Sequence, residues 1–207
     1  MKTILFQGDS ITDCHRNREV SNSLGSGYAL MTAGKINLDY PGKYHFLNRG
    51  ISGNRIVDLY ARIKADAINL KPDIMTVLIG VNDVWHEFNK QNGVSNEKFA
   101  RILEMFLCEI MEACPQTKIY LMEPFVLPGN ATEEFYEEFH HEVRLRAASV
   151  KAVAKKLDLP FIPLQEDINY RAAQSKAADV LGDGVHPTAC GHELISRKLY
   201  AVLKEIL

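Results

Sequence analysis

The chain has 207 residues, 46% hydrophobic and 24% charged, the size and composition of one globular domain with a substantial core. Lys and Arg number 24 against 26 Asp and Glu, a net charge of -2 that excludes the basic face or tail of a nucleic-acid-binding protein. No stretch approaches the ~20 apolar residues of a membrane-spanning helix, and the first apolar run, Ile4 to Phe6, is cut off by Gly8 and Asp9, short of the roughly 7–15 residues of a signal-peptide core, so a cytoplasmic protein is expected.

In chain order, Thr3 to Gln7 reads as a first buried strand and Tyr44 to Asn48 as a second. Ile56 to Asn69 follows with Ile56, Leu59, Ile63 and Ala67 at helical spacing. Asp73 to Ile79 is the strongest strand, a near-continuous apolar run of the kind buried on both faces. A helix is expected over Asn96 to Ala113, a strand over Lys118 to Met122, and a long helix over Glu133 to Leu157. A short strand, Pro160 to Pro163, and a helix from His192 to Ile206 close the chain. Strands alternating with helices predict an α/β fold, a three-layer α/β/α sandwich on a five-stranded parallel sheet. No repeat, linker or low-complexity segment divides it, so residues 1–207 are expected to form a single domain. Cys14, Cys108, Cys114 and Cys190 show neither a CxxC pair nor zinc spacing and read as free thiols.

The chemistry-bearing residues cluster where strands end. Ser10 follows the first strand in Gly8-Asp9-Ser10-Ile11-Thr12, a hydroxyl on a tight turn. A serine nucleophile needs a base, and the base needs an orienting carboxylate. Asp183-Gly184-Val185-His186-Pro187 supplies both: three residues let Asp183 fold back onto Nδ1 of His186, freeing Nε2 for Ser10. Acyl transfer also needs donors for a developing oxyanion. Asn82 stands just past the third strand, and Gly53, after the second, brings a bare backbone N–H near a ligand, with the Ser10 N–H as a third donor. Each residue also has a plainer reading: a helix cap for Ser10, a loop histidine, a turn asparagine, a loop glycine.

Taken together these blocks resemble those of the SGNH hydrolases, the GDSL esterase/lipase superfamily. The resemblance covers nearly the whole chain. It implies a flavodoxin-like fold and a serine mechanism without metal or other cofactor. It assigns Ser10 as nucleophile, His186 as base, Asp183 as its partner, and Gly53 and Asn82 as oxyanion donors. Longer strings, Leu24 to Tyr28, Asn48 to Asn54 and Ile79 to Trp85, are similar to the intracellular acetylxylan-esterase branch, which removes acetyl groups from short xylo-oligosaccharides. Gln7 departs from that pattern, where many relatives carry an apolar residue or threonine. The expected partner is a small-molecule ester, with no nucleic acid and no membrane, and the resemblance is compatible with a homo-oligomer.

Asp9, Tyr28 and Trp85 are the candidate substrate contacts; Trp85, three residues past Asn82, is placed to wall an acyl pocket, stack on a sugar or simply fill the core. Pro124 to Tyr136 is the candidate lid, or a plain strand-to-helix connection. Competing functions are a lysophospholipase or acyl-CoA thioesterase on the same three residues, a metal-dependent phosphoesterase built from Asp9, Asn82, Asp83, Asp183 and His186, and a catalytically silent carbohydrate-binding homologue. His140-His141-Glu142 lacks the second histidine of a zinc motif and is expected on a solvated helix face.

Overall fold

Five apolar segments lie side by side as parallel strands in the computed structural model, which describes residues 1–207. They are β1 (Lys2–Gly8), β2 (Tyr44–Asn48), β3 (Ile74–Leu78), β4 (Lys118–Met122) and β5 (Phe161–Ile162), in the order β2-β1-β3-β4-β5. Every residue of β3 is buried, which explains its unbroken apolar run. The two-residue period of a strand sends alternate side chains to opposite faces. Ile4, Phe6, Ile74, Leu78 and Met122 enter one core; Leu5, Met75, Val77, Ile119 and Leu121 enter the other.

Helices cover both faces. The elements α1 (Ser10–Asp13), α2 (Tyr28–Asp39), α3 (Ile56–Ala61), α4 (Ile63–Asp66), α5 (Val81–Lys90) and α6 (Asn96–Ala113) are followed by α7 (Tyr136–Lys156), α8 (Gln165–Ala173), α9 (Ala177–Val180) and α10 (Ala189–Lys204). Tyr28, Ala29, Ala33 and Ile36 of α2 share the first core with Ile195, Leu199 and Leu203 of α10. The second core takes Ile56 and Leu59 of α3 and the stripe Phe99, Leu103, Phe106, Leu107 and Ile110 of α6.

The α/β/α architecture and all five strands agree with the expectation from the sequence, and the helix over Asn96–Ala113 matches end to end. Elsewhere the structure differs. The expected helix from Ile56 to Asn69 breaks at Arg62, whose φ of -109° and ψ of 14° end α3. Arg62 turns its guanidinium inward instead, donating to the carbonyls of Gly8 and Arg49, to Asn54 Oδ1 and to Asp66. The helix α2 was not expected: Gly34 in its middle lowers the helical propensity, and Leu30 and Leu38 are exposed among its apolar residues, blurring the amphipathic stripe. Nor was α5, which starts inside the Ile79 to Trp85 string, from Gly80 at φ 134°.

Gly8 ends β1 with no room for a side chain. A Cβ there would stand 2.4 Å from the Leu78 carbonyl oxygen on β3 and 2.4 Å from Thr12 Oγ1. Gly8→Ala must therefore push β1 from β3 or displace α1, at a cost of about 1–3 kcal/mol. The expected result is a melting temperature lowered by roughly 2–12 °C, measured by circular dichroism.

Candidate active site

The connections from β1 and β3 leave toward opposite faces of the sheet, so a crevice opens at their carboxyl ends, the ordinary ligand position in an open parallel sheet. Ser10 and Asn82 stand there. Asp9 caps α1, accepting the Ile11 N–H at 3.0 Å, and Ser10 is the first helical residue, whose N–H has no intrahelical partner. The β2 loop is stapled to this turn: Asn48 Nδ2 donates to the Thr12 carbonyl at 2.6 Å, and the Ser52 N–H donates to Asp13 at 3.1 Å.

Asp183 builds its own turn. One carboxylate oxygen accepts the Val185 N–H at 2.9 Å and the His186 N–H at 2.7 Å. The other lies 2.7 Å from His186 Nδ1, and His186 Nε2 lies 2.9 Å from Ser10 Oγ. Partial burial raises the Asp183 pKa, but these hydrogen bonds and the His186 charge outweigh it and hold the carboxyl at about 2. The same hydrogen bond raises the His186 pKa; burial opposes it, and the charges of Asp183 and Asp9 assist.

On the other flank, Gly53 has φ 81°, which favours glycine, and its N–H has no protein partner. Asn82 is 5% exposed in the first turn of α5, its amide oriented by donation to the Asn54 carbonyl at 3.2 Å. Asp83 is buried beside it and accepts the Ile56 N–H on both oxygens, tying the Gly53 loop to α5. Burial pushes the Asp83 pKa up to about 8, against the Ile56 hydrogen bond and the charge of Arg146. The Trp85 ring centroid is 5.6 Å from that of His186, and the ring packs edge-on against Phe139.

Ser10, His186, Asp183, Gly53, Asn82 and Trp85 thus come together; two proposed substrate contacts do not. Tyr28 is 0% exposed, its hydroxyl 2.8 Å from Thr12 Oγ1 in the first core, so no face is left for a ligand. Asp9 is 1% exposed, one oxygen spent on the cap and the other without a partner, and burial pushes its pKa up to about 7. The proposed metal-ligand set does not converge: Asp9 and Asp83 are engaged separately, and no group of three or more His, Cys, Asp or Glu is arranged to hold an ion. The Pro124–Tyr136 segment is a packed connection: Phe125, Val126 and Leu127 are buried, and Ala131 N–H donates to the Asp183 carbonyl. His140 stacks on Tyr136 on α7, with His141 exposed beside it.

The sequence reading missed Asp13, Asn48 and His192. His192 Nδ1 accepts the Tyr28 N–H at 3.1 Å, and its Nε2 lies 3.3 Å from Cys14 Sγ. Burial, with the His186 charge, lowers its pKa to about 4. A buried polar residue at a strand end, as Asn48 is, was the available signal; His192 offered none beyond its place in the first turns of a helix.

A serine, a histidine and an aspartate linked in one hydrogen-bonded chain at the carboxyl edge of a parallel sheet define a hydrolase-type site. The GDSL-like lipase/acylhydrolase family matches residues 6–194, and the chain belongs to that family. It is a carboxylic ester hydrolase. It is similar to the acetylxylan esterase of Geobacillus stearothermophilus, 33% identical over 98% of this chain and 93% of that protein. A solved structure of that enzyme, Axe2, superposes with a TM-score of 0.86 at 31% identity, covering 99% of this chain and 94% of the other. Its solved forms include catalytic mutants in which a serine and an aspartate are each replaced by alanine, and it is described as an acetyl-xylooligosaccharide esterase. A protein described as a GDSL-like lipase, from Parabacteroides merdae, superposes with a TM-score of 0.93 at 32% identity, covering 98% of this chain and 95% of that one. No helix is long and apolar enough to cross a membrane.

The two site histidines should titrate in opposite directions from the ordinary value near 6.5. Histidine-selective NMR is expected to show His186 titrating above it and His192 near 4. Asp183→Asn removes the charge and should bring His186 down.

Proposed function

We propose that the protein is a serine esterase that removes short acyl groups, acetyl above all, from carbohydrates such as xylo-oligosaccharides. The observation that carries the reading is the unbroken chain from Ser10 Oγ through His186 to Asp183. Ser10 Oγ attacks the ester carbonyl as its proton passes to His186 Nε2. The tetrahedral oxyanion is held by the N–H groups of Ser10 and Gly53 and the amide of Asn82. Collapse expels the alcohol, protonated by His186, and leaves an acyl group on Ser10. Water, deprotonated by the same histidine, attacks this ester; the acid departs and Ser10 regains its proton. Asp183 remains ionised throughout, keeping the ring in the useful tautomer and stabilising the imidazolium.

The short acyl preference is supported by Trp85 beside the base and by the lack of an apolar entrance. Exposed large apolar residues such as Leu30, Leu38 and Met105 are not among the residues lining the cavity that borders Ser10, whose apolar lining is confined to Ile11, Cys14 and Pro187. The sugar specificity is supported by the activity of the Geobacillus relative.

Acetate release from acetylated xylo-oligosaccharide should exceed cleavage of a medium-chain p-nitrophenyl ester, with Ser10→Ala inactive on both. Preference for the longer chain would move the enzyme to lipid or thioester substrates. Folded Asn82→Ala should lose about 10²–10³ in kcat; turnover near wild type would remove Asn82 from the oxyanion site. Because the base acts unprotonated and its pKa is raised, kcat/KM should fall with decreasing pH along a limb centred above ~6.5. A flat profile down to pH ~5 would contradict His186 as the base.

A further inference from the structure

A cavity of about 530 Å³, within the usual size of small-ligand pockets, is bordered by both Ser10 and His186. Gly53, Asn82 and Trp85 are not among its lining residues. Two of the three oxyanion donors and the tryptophan therefore lie outside it, on the far side of Ser10, which leaves the cavity to the alcohol half of the ester. Its wall carries two guanidinium groups, Arg16 and Arg18.

These two arginines are in different states. Arg18 is paired with Asp13 at 2.8 Å and its side chain is 54% exposed. Arg16 is half-buried and held by a single bond, Nε–H to the Gly50 carbonyl at 2.8 Å; its two terminal amino groups have no protein partner. The charges that act on Arg16 are those of Asp13 and Asp66, which attract it, and of Arg18 and Arg49, which repel it. Both carboxylates are already engaged, Asp13 by Arg18 and Asp66 by Arg62 at 2.8 Å. Arg16 is thus a partly desolvated cation without a counter-ion of its own.

The backbone holds it there. Cys14 and His15 take φ of 37° and 61°, two successive left-handed residues without glycine's freedom. They turn the chain back so that the Arg16 N–H reaches both the Asp13 carbonyl and its carboxylate. Gly25 closes against this turn, where a Cβ would lie 2.4 Å from the Asp13 carbonyl oxygen. A fixed guanidinium with two free amino groups matches a carboxylate or phosphate bidentately, and a neutral sugar hydroxyl does not use its charge.

We propose that the ester substrate carries an anionic group on its alcohol half, a carboxylate or phosphate borne by the sugar, and that Arg16 binds it. This rests on the esterase reading above for the position of the ester, whereas the anion site itself is testable without turnover. Arg16 is a specificity-determining residue in this assignment, and Arg18 stays with Asp13.

The test compares three acetyl esters that differ in one substituent: O-acetyl methyl glucoside, O-acetyl methyl glucuronoside and O-acetyl glucose 6-phosphate. The wild type should favour one or both anionic esters over the neutral one in kcat/KM by roughly 10- to 100-fold, the range of a charge-assisted hydrogen bond. Preference for the glucuronoside names a carboxylate as the group, and preference for the phosphate ester names a phosphate. Arg16→Gln should erase the preference and Arg16→Lys should restore part of it. Equal rates on all three esters, or a preference that survives Arg16→Gln, would overturn the proposal while leaving the esterase intact. If none of the three is cleaved, the esterase reading fails on these sugars. Calorimetry with unacetylated methyl glucuronoside and glucose 6-phosphate then decides the anion site: binding by the wild type that is lost in Arg16→Gln supports it, and no binding of either overturns it.

Discussion

The parallel pairing of β1 with β3 is the constraint on which the rest of the site depends. The chain leaves these neighbours toward opposite faces of the sheet, so the two turns that follow them stand side by side with nothing between. One turn holds Ser10 at the start of α1, the other Asn82 at the start of α5. Both are helix starts, where unpaired N–H groups and the helix dipole favour negative charge. Negative charge is therefore favoured there by topology before any side chain is chosen, and the residues refine what the sheet order has prepared.

Three buried or half-buried carboxylates hold the surrounding loops in place. Asp9 caps the serine turn, Asp83 anchors the backbone at Ile56, and Asp183 folds its own turn while steadying His186. Their environments separate them. Asp183 accepts enough hydrogen bonds to stay ionised at about 2, whereas burial dominates at Asp9 and Asp83 and raises them to about 7 and about 8. The one in contact with the His186 ring is the one the fold keeps charged, and the other two serve as hydrogen-bond acceptors in the frame.

The strands were legible because burial on both faces leaves an unmistakable mark: Ile74 to Leu78 admits only Thr76 among its apolar residues. Ser10, His186 and Asp183 were legible because their chemistry demands particular residue types and the turn from Asp183 to His186 is local. Tyr28 and Asp9 misled for one reason. Proximity in sequence to a glycine-rich loop or a nucleophile does not tell which way a side chain points, and both point into the protein. Asn48 and Asp13 escaped notice because their work consists of bonds to backbone groups of distant segments, which leave no spacing to read. Arg62 shows the same limit, for a charged residue in a helical pattern gave no sign that it would end the helix to reach four separate partners.

The bond between Ser10 and His186 spans 176 positions of the chain. During synthesis β1 emerges first and waits for both of its neighbours, and β3 completes the crevice when fewer than half the residues exist. The turns after β1 and β3 can then assemble, but Ser10 meets no histidine until the turn after α9 arrives near the very end. The serine–histidine–aspartate chain is therefore open in any nascent polypeptide and closes only in a late step, as α10 docks against α2.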